Sequence, residues 1–142
     1  MKEAMPRRDL YHDHVRKALE NDGWTITDDP LKLKLGGKDL YVDLGAEKLL
    51  AAEKEDRKIA VEVKSFVGPS IITELEIALG QYVLYHDIMA KTKPERVLYL
   101  AIPDEVYLEI FEEPIGEVLL ENKRVLLIVY DPNNEEALKW IH

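Results

Sequence analysis

The chain predicts a mixed α/β (α+β) domain, with a central mixed sheet flanked by helices. Three observations carry this. Short alternating segments dominate residues 24–66, a long stretch of helical spacing follows from Ser70, and strands then alternate with helices. Hairpins early in a chain and α/β crossovers later place antiparallel and parallel pairs in one sheet, with helices on its faces. At 142 residues with 46% hydrophobic composition, the chain suits one domain with one core, spanning residues 1–142. No internal repeat or low-complexity tract divides it.

The elements follow in order. Tyr11, Val15, Ala18 and Leu19 recur at helical spacing within 9–22, with Asp9 as a cap and Gly23 as a stop. Trp24-Thr25-Ile26-Thr27 is β-branched and aromatic, as a strand requires, and Asp28-Asp29-Pro30 interrupts it. Leu31–Leu35 and Leu40–Leu44 form a hairpin across the turn Gly36-Gly37-Lys38-Asp39. Residues 48–55 and 58–66 form a second strand pair, turned by Glu55-Asp56-Arg57.

From Ser70 to Lys91, Ile71, Leu75, Ala78, Leu79, Tyr82 and Tyr85 trace one face of a helix that Pro69 or Ser70 opens. Gly80 inside it costs about 1 kcal/mol relative to alanine, and close packing onto the sheet would account for it. A strand at Arg96–Ala101, a helix from Pro103-Asp104, a strand at Arg124–Tyr130 and a short terminal helix after Asp131-Pro132 complete the chain. With the short 24–27 segment left aside, the order is α, four strands, α, β, α, β, α.

Composition bounds the function. The absence of cysteine excludes disulfides, thiolate zinc sites and a cysteine nucleophile. No apolar leader opens the sequence, and its longest strongly apolar run, Val125–Tyr130, falls far short of the roughly 20 residues that cross a bilayer. A cytoplasmic protein with no membrane association is expected. The net charge of −9 counts against nucleic-acid binding, which Lys and Arg drive. Basic residues are present but scattered, at Arg7-Arg8, Arg16-Lys17, Lys32, Lys34, Lys38, Lys91, Lys93 and Arg96.

The chemistry concentrates in Lys58–Phe66. On a strand, Ile59, Val61, Val63 and Ser65 face one way, and Ala60, Glu62, Lys64 and Phe66 the other. The valines indicate a buried strand, and the 70–91 helix covers the face that carries Glu62 and Lys64. Burying a charge there is costly unless it is paired. Asp43, between Val42 and Leu44, ends its own strand in a similar setting. If the two strands are neighbours, Asp43 and Glu62 share one hard cation, Mg²⁺ or Mn²⁺. Lys64 then reaches the attacking water or a phosphate, which meets the needs of phosphodiester hydrolysis. The plainer reading, a cross-strand ion pair, is the commoner fate of an isolated Glu-x-Lys.

Asp43-Leu-Gly-Ala-Glu47 and Ala60-Val-Glu-Val-Lys-Ser-Phe66 resemble the PD-(D/E)XK nuclease superfamily, with Val42 where that signature has proline. More closely, the chain resembles the XisH family, the fdxN element excision controlling factors of cyanobacteria. The likeness runs through Arg8–His12, Asp22–Thr27, Asp29-Pro30, Val42–Glu47, Ile59–Phe66, Ala78–Tyr82 and Leu98–Pro103. It implies a restriction-endonuclease-like αβββαβ core, a role in excising a DNA element during heterocyst development, and a XisI-like protein partner.

Further candidates surround this set. Gln81 and Tyr85 form a Gln-x-x-x-Tyr pattern that faces the active site in RecB-like nucleases, and at i, i+4 they share a helix face. Gln81 either orients a water or satisfies a core polar group. His12 begins a pattern similar to the first helix of archaeal Holliday-junction resolvases, where a glutamate points to the metal. A surface or capping role is the favoured reading for His12, with metal binding or proton relay the other. His14 and His86 read as surface residues, as does Glu47, with Glu53 a further nearby carboxylate. The acidic runs Glu109–Glu117 and Glu135-Glu136 read as solvated faces. Two functions follow: a Mg²⁺- or Mn²⁺-dependent endonuclease acting on DNA, or a non-catalytic adaptor that keeps the fold. A homodimer is expected for the former, since cutting both strands takes two sites.

Overall fold

The computed structural model describes residues 9–50 and 55–142. Helix α1 spans His12–Asn21. Strands β1 (Thr25–Asp28), β2 (Leu31–Leu35), β3 (Lys38–Val42), β4 (Leu44–Leu50) and β5 (Glu55–Val63) follow. Helix α2 (Ile71–Thr92) leads to β6 (Arg96–Pro103). A short helix α3 (Asp104–Val106) runs into a π-helical turn (Tyr107–Phe111) and helix α4 (Pro114–Glu121). Strands β7 (Leu127–Asp131) and β8 (Asn134–Ile141) close the chain.

Among the described residues, six strands form one sheet in the order β1-β4-β5-β6-β7-β8, and β2-β3 form a separate hairpin. The β5-β6 and β6-β7 pairs are parallel and the rest antiparallel, so the sheet is mixed as expected. Alternation along β5 divides the core in two. Ala60 faces the cluster under α2, with Leu75, Ala78 and Tyr82. Ile59, Val61 and Val63 face α1, through Val15 and Leu19. Helices therefore cover both faces. The ends of β2 and β3 join the α2 side through Leu31, Leu33 and Val42.

Several boundaries differ from the sequence reading. The strand expected to run through Leu44 ends at Val42, and Asp43 forms the joint between β3 and β4. Glu55 and Arg57 already lie in β5, paired with Leu50 and Lys48, so the turn expected at 55–57 is strand, and Glu53 lies outside the described residues. The expected terminal helix is a strand. Asp131 and Asn134 side chains accept from the Asn133 and Glu136 N–H groups and turn the chain. Leu138 and Trp140 then pack on one face, Trp140 against Trp24 and Tyr99. Packing against the β7 edge outweighs the acidic, helix-like start of that segment. In β1 the register with β4 shifts between Ile26 and Asp28.

Gly80 also departs from expectation. It sits on the exposed face of α2, and a Cβ built there meets nothing within 4 Å. Gly80→Ala is therefore expected to stabilise the protein by about 1 kcal/mol, read as a higher urea midpoint at an unchanged slope. An unchanged or lower midpoint would show that the helix needs glycine there.

Candidate functional site at the ends of β3 and β5

The antiparallel β4-β5 ladder pairs Leu44 with Val61, which sets Asp43 beside Glu62 just past the last ladder pair. There the two carboxyl groups replace ladder bonds. The Asp43 N–H donates to Glu62 Oε1 at 3.2 Å, and the Val63 N–H donates to Asp43 Oδ2 at 2.7 Å. Each side chain thus holds the other residue's strand. Glu62 is only 5% exposed.

Two carboxyls so placed cannot both ionise cheaply. Burial, then the adjacent Asp43 charge, pushes Glu62 up to about 9. Burial also raises Asp43, against the opposing pull of the Val63 N–H, the Glu62 hydrogen bond, His12 and Lys64. Burial and mutual repulsion thus favour a proton on this pair over ionising both carboxyls. Lys64 Nζ lies 4.0 Å from Glu62 Oε2, too far for a direct hydrogen bond.

The chain beyond Glu62 is fixed from three sides. The Lys64 N–H donates to Ala101 O, and the Tyr130 hydroxyl donates to Lys64 O at 3.2 Å. Asp9 Oδ2 accepts from both the Ser65 N–H and the Ser65 hydroxyl, while Asp9 Oδ1 accepts from the Tyr11 N–H. Tyr11, not the expected Asp9, is the N-cap of α1, with no side-chain capping bond. Asp9 instead turns the chain ahead of the helix and ties the start of α1 to the end of β5.

That tie brings His12 to the site. His12 is 3% exposed, which overturns the surface reading. Its Nε2 lies 2.7 Å from Asp29 Oδ1, and its Nδ1 lies 4.0 Å from Asp43 Oδ1. His12 Nδ1 is buried without a hydrogen-bond partner. Its position in the sequence carries no burial signal, because the partner that draws it inward lies 17 residues away. His14 is half-buried against Tyr11 and Tyr130 rather than free at the surface, whereas His86 is exposed beside Asp87.

From α2, Tyr85 approaches the pair. Burial, then the Glu62 and Asp43 charges, pushes its phenol up to about 12. Gln81, one turn earlier, keeps its Oε1 buried without a hydrogen-bond partner. Tyr82 belongs to the core, its hydroxyl donating to Leu98 O and accepting from the Leu126 N–H. Glu47 is remote from this cluster and pairs with Lys58 and Arg96. The structure therefore gathers Asp43, Glu62, Lys64, His12 and Tyr85, with Gln81 on the same helix face as Tyr85. Asp29 and Arg16 are the members that pattern reading missed.

Among the described residues, no group of three His, Cys, Asp or Glu side chains converges as it stands on one ion position. The donors nevertheless suit a hard, hydrated cation. Two carboxylates with room for waters and a phosphate are what Mg²⁺ commonly takes from a protein. The unpartnered His12 Nδ1 adds an acceptor facing Asp43. A cleft of about 660 Å³, lined in part by Tyr82, His86, Arg96, Lys123 and Arg124, lies apart from these carboxyls.

Fold and site together define an α+β mixed-sheet protein with a buried carboxyl pair and a lysine where two strands end. A model of the XisH family, described as XisH protein, matches residues 5–138. Two solved structures are similar. One is an XisH family protein from Nostoc punctiforme, 40% identical, with TM-score 0.84, covering 94% of this chain and 100% of that one. The other is an fdxN element excision controlling factor protein from Anabaena variabilis, also 40% identical with TM-score 0.84, covering 95% and 100%. The chain belongs to the XisH family. No curated protein matches it. Among the described residues, no helix is long and apolar enough to cross a membrane.

Proposed function

We propose that this chain is a nuclease-fold protein of the PD-(D/E)XK kind, whose Asp43 and Glu62 hold Mg²⁺ or Mn²⁺ and whose Lys64 assists hydrolysis of a DNA phosphodiester. The fdxN element excision controlling factor among its similar structures points to excision of a DNA element as the setting. One observation carries the reading. The buried Glu62 and half-buried Asp43 carboxyls each accept from an N–H of the other's strand, burial raises both toward keeping a proton, and the Lys64 ammonium lies 4.0 Å from Glu62. A bound cation would replace that proton and relieve the repulsion. A cation there supplies Lewis acidity and a water of lowered pKa. Lys64 supplies a positive charge at the mouth of the site, where a phosphate oxygen gains it. Tyr85 keeps its proton through the physiological range and can donate a hydrogen bond. Gln81 Oε1 offers an acceptor to a water.

The test is DNA cleavage with Mg²⁺ or Mn²⁺ by the wild type and Lys64→Ala, with and without a XisI-like protein. Loss of the lysine is expected to lower cleavage by about 10²- to 10³-fold, the scale for removing one transition-state donor. Equal background cleavage by both proteins would sink the enzymatic reading.

The net charge of −9 favours a second reading. Of the basic residues, Arg16 and Arg96 are drawn into ion pairs with Asp29 and Asp28 rather than aimed at a nucleic acid. On this reading the chain is a non-catalytic adaptor that keeps the fold and acts through a XisI-like partner.

A further inference from the structure

We infer that Asp29, clamped by Arg16, is the positioning residue of this site. It fixes the His12 tautomer and so turns a bare nitrogen lone pair toward Asp43. The inference rests on the cation reading of Asp43 and Glu62, and it concerns residues outside the nuclease-like motif.

A carboxylate oxygen only accepts, so the 2.7 Å contact between His12 Nε2 and Asp29 Oδ1 requires the proton on Nε2. In the neutral imidazole, Nδ1 then carries the lone pair. That nitrogen is buried, has no hydrogen-bond partner, and faces Asp43 Oδ1 across 4.0 Å. Two acceptors face one another with nothing between them, an arrangement that favours an electron-pair acceptor in the gap. Two metal–ligand bonds of about 2.1 Å span up to about 4.2 Å, so the gap admits an ion with little movement.

Asp29 is itself held. Arg16 Nη1 donates to Asp29 Oδ2 at 2.6 Å, leaving Oδ1 for the imidazole. Arg16 and His12 stand four residues apart on α1, so both reach the same carboxylate from one helix face. Arg16 thereby orients Asp29, Asp29 orients His12, and His12 faces the carboxyl pair. A carboxylate behind a metal-facing imidazole sets its tautomer and raises its basicity, and losing such a partner commonly costs 10- to 100-fold in metal affinity.

The experiment has two arms, neither of which needs catalysis. In the first, the ¹⁵N shifts of the His12 ring are read in the protein without metal at pH 8. The expected state has Nε2 protonated and Nδ1 bare in the wild type, and a mixture of tautomers in Asp29→Ala. A wild-type ring protonated on Nδ1, alone or together with Nε2, would overturn the inference. In the second, Mn²⁺ binding is measured by titration calorimetry and electron paramagnetic resonance. Asp29→Ala is expected to weaken it about 10- to 100-fold, and Asp29→Asn less, because the amide oxygen still accepts from Nε2. Wild-type affinity in Asp29→Ala would overturn the assignment while leaving the Asp43–Glu62 site intact. Failure of the wild type to take up Mn²⁺ would instead remove the cation reading, and the ring tautomer would still decide the role of Asp29.

Discussion

Glu62→Gln is expected to fold more stably than the wild type at neutral pH and to lose its divalent cation. The carboxyl titrates at an ordinary 4.5 in the unfolded chain and near 9 in the folded one. Between those values the folded state holds a proton that the unfolded state has released. Stability therefore falls as pH rises from about 4.5 to about 9, and at pH 7 the cost is on the order of 3 kcal/mol. Glutamine keeps the shape. Its oxygen can accept from the Asp43 N–H, and its amide can donate to the Asp43 carboxylate. The variant is expected to melt roughly 6–12 °C higher at pH 7. Its stability should also lose the downward slope between pH 5 and 9 that Glu62 imposes. Mn²⁺ should raise the melting temperature of the wild type and leave that of the variant unmoved. Matching melting curves and matching pH slopes in the two proteins would show that Glu62 is ionised in the fold.

Gly116→Ala should have the largest effect on stability of any single methyl added to a helix here. Gly116 lies in the first turn of α4, which doubles back on the π-helical turn before it. A Cβ at Gly116 would collide with the Ile110 carbonyl and the Phe111 Cα. These are backbone atoms and no rotamer change relieves them. Accommodation means lifting α4 away, and that exposes the buried Ile110 and Phe111 side chains. Overpacking of this kind costs about 3 kcal/mol, and for a chain of this size the melting temperature should drop by roughly 6–12 °C. Mn²⁺ binding should persist below that temperature, because α4 contributes nothing to the carboxyl pair. A variant melting with the wild type would mean that α4 shifts freely.

The contrast between Gly80 and Gly116 shows what a sequence conceals. Both are glycines in helices, and propensity charges them alike. Only the neighbours reveal that one faces solvent and the other touches backbone. The strand Ile59–Val63 was legible because alternation with period two assigns faces without knowledge of any partner. From that alone, Glu62 and Lys64 fell on the α2 side. The meeting of Asp43 with Glu62 needed one more fact, the pairing of Leu44 with Val61, which the hairpin spacing does not supply, because it pairs 40–44 with 31–35 and 58–66 with 48–55. His12 and Asp29 were not legible as a pair. Nothing local in a helix start or in an Asp-Pro step encodes a contact across 17 residues. The final strand misled for the opposite reason. Its acidic start favours a helix, and only the presence of Trp24 and Tyr99 rewards the alternation of Leu138 and Trp140.

The register shift in β1 bears on how these molecules behave at high concentration. An open six-stranded sheet has two edges, each a row of backbone groups that could recruit another chain. Here β1 is only four residues long, its ladder is interrupted before Asp28, and Pro30 follows closely. At the other edge, β8 carries Glu135, Glu136 and Lys139. Brevity, irregularity and charge all obstruct strand addition. Both edges of the described sheet are thus poor templates for a further strand, and edge-to-edge growth is disfavoured.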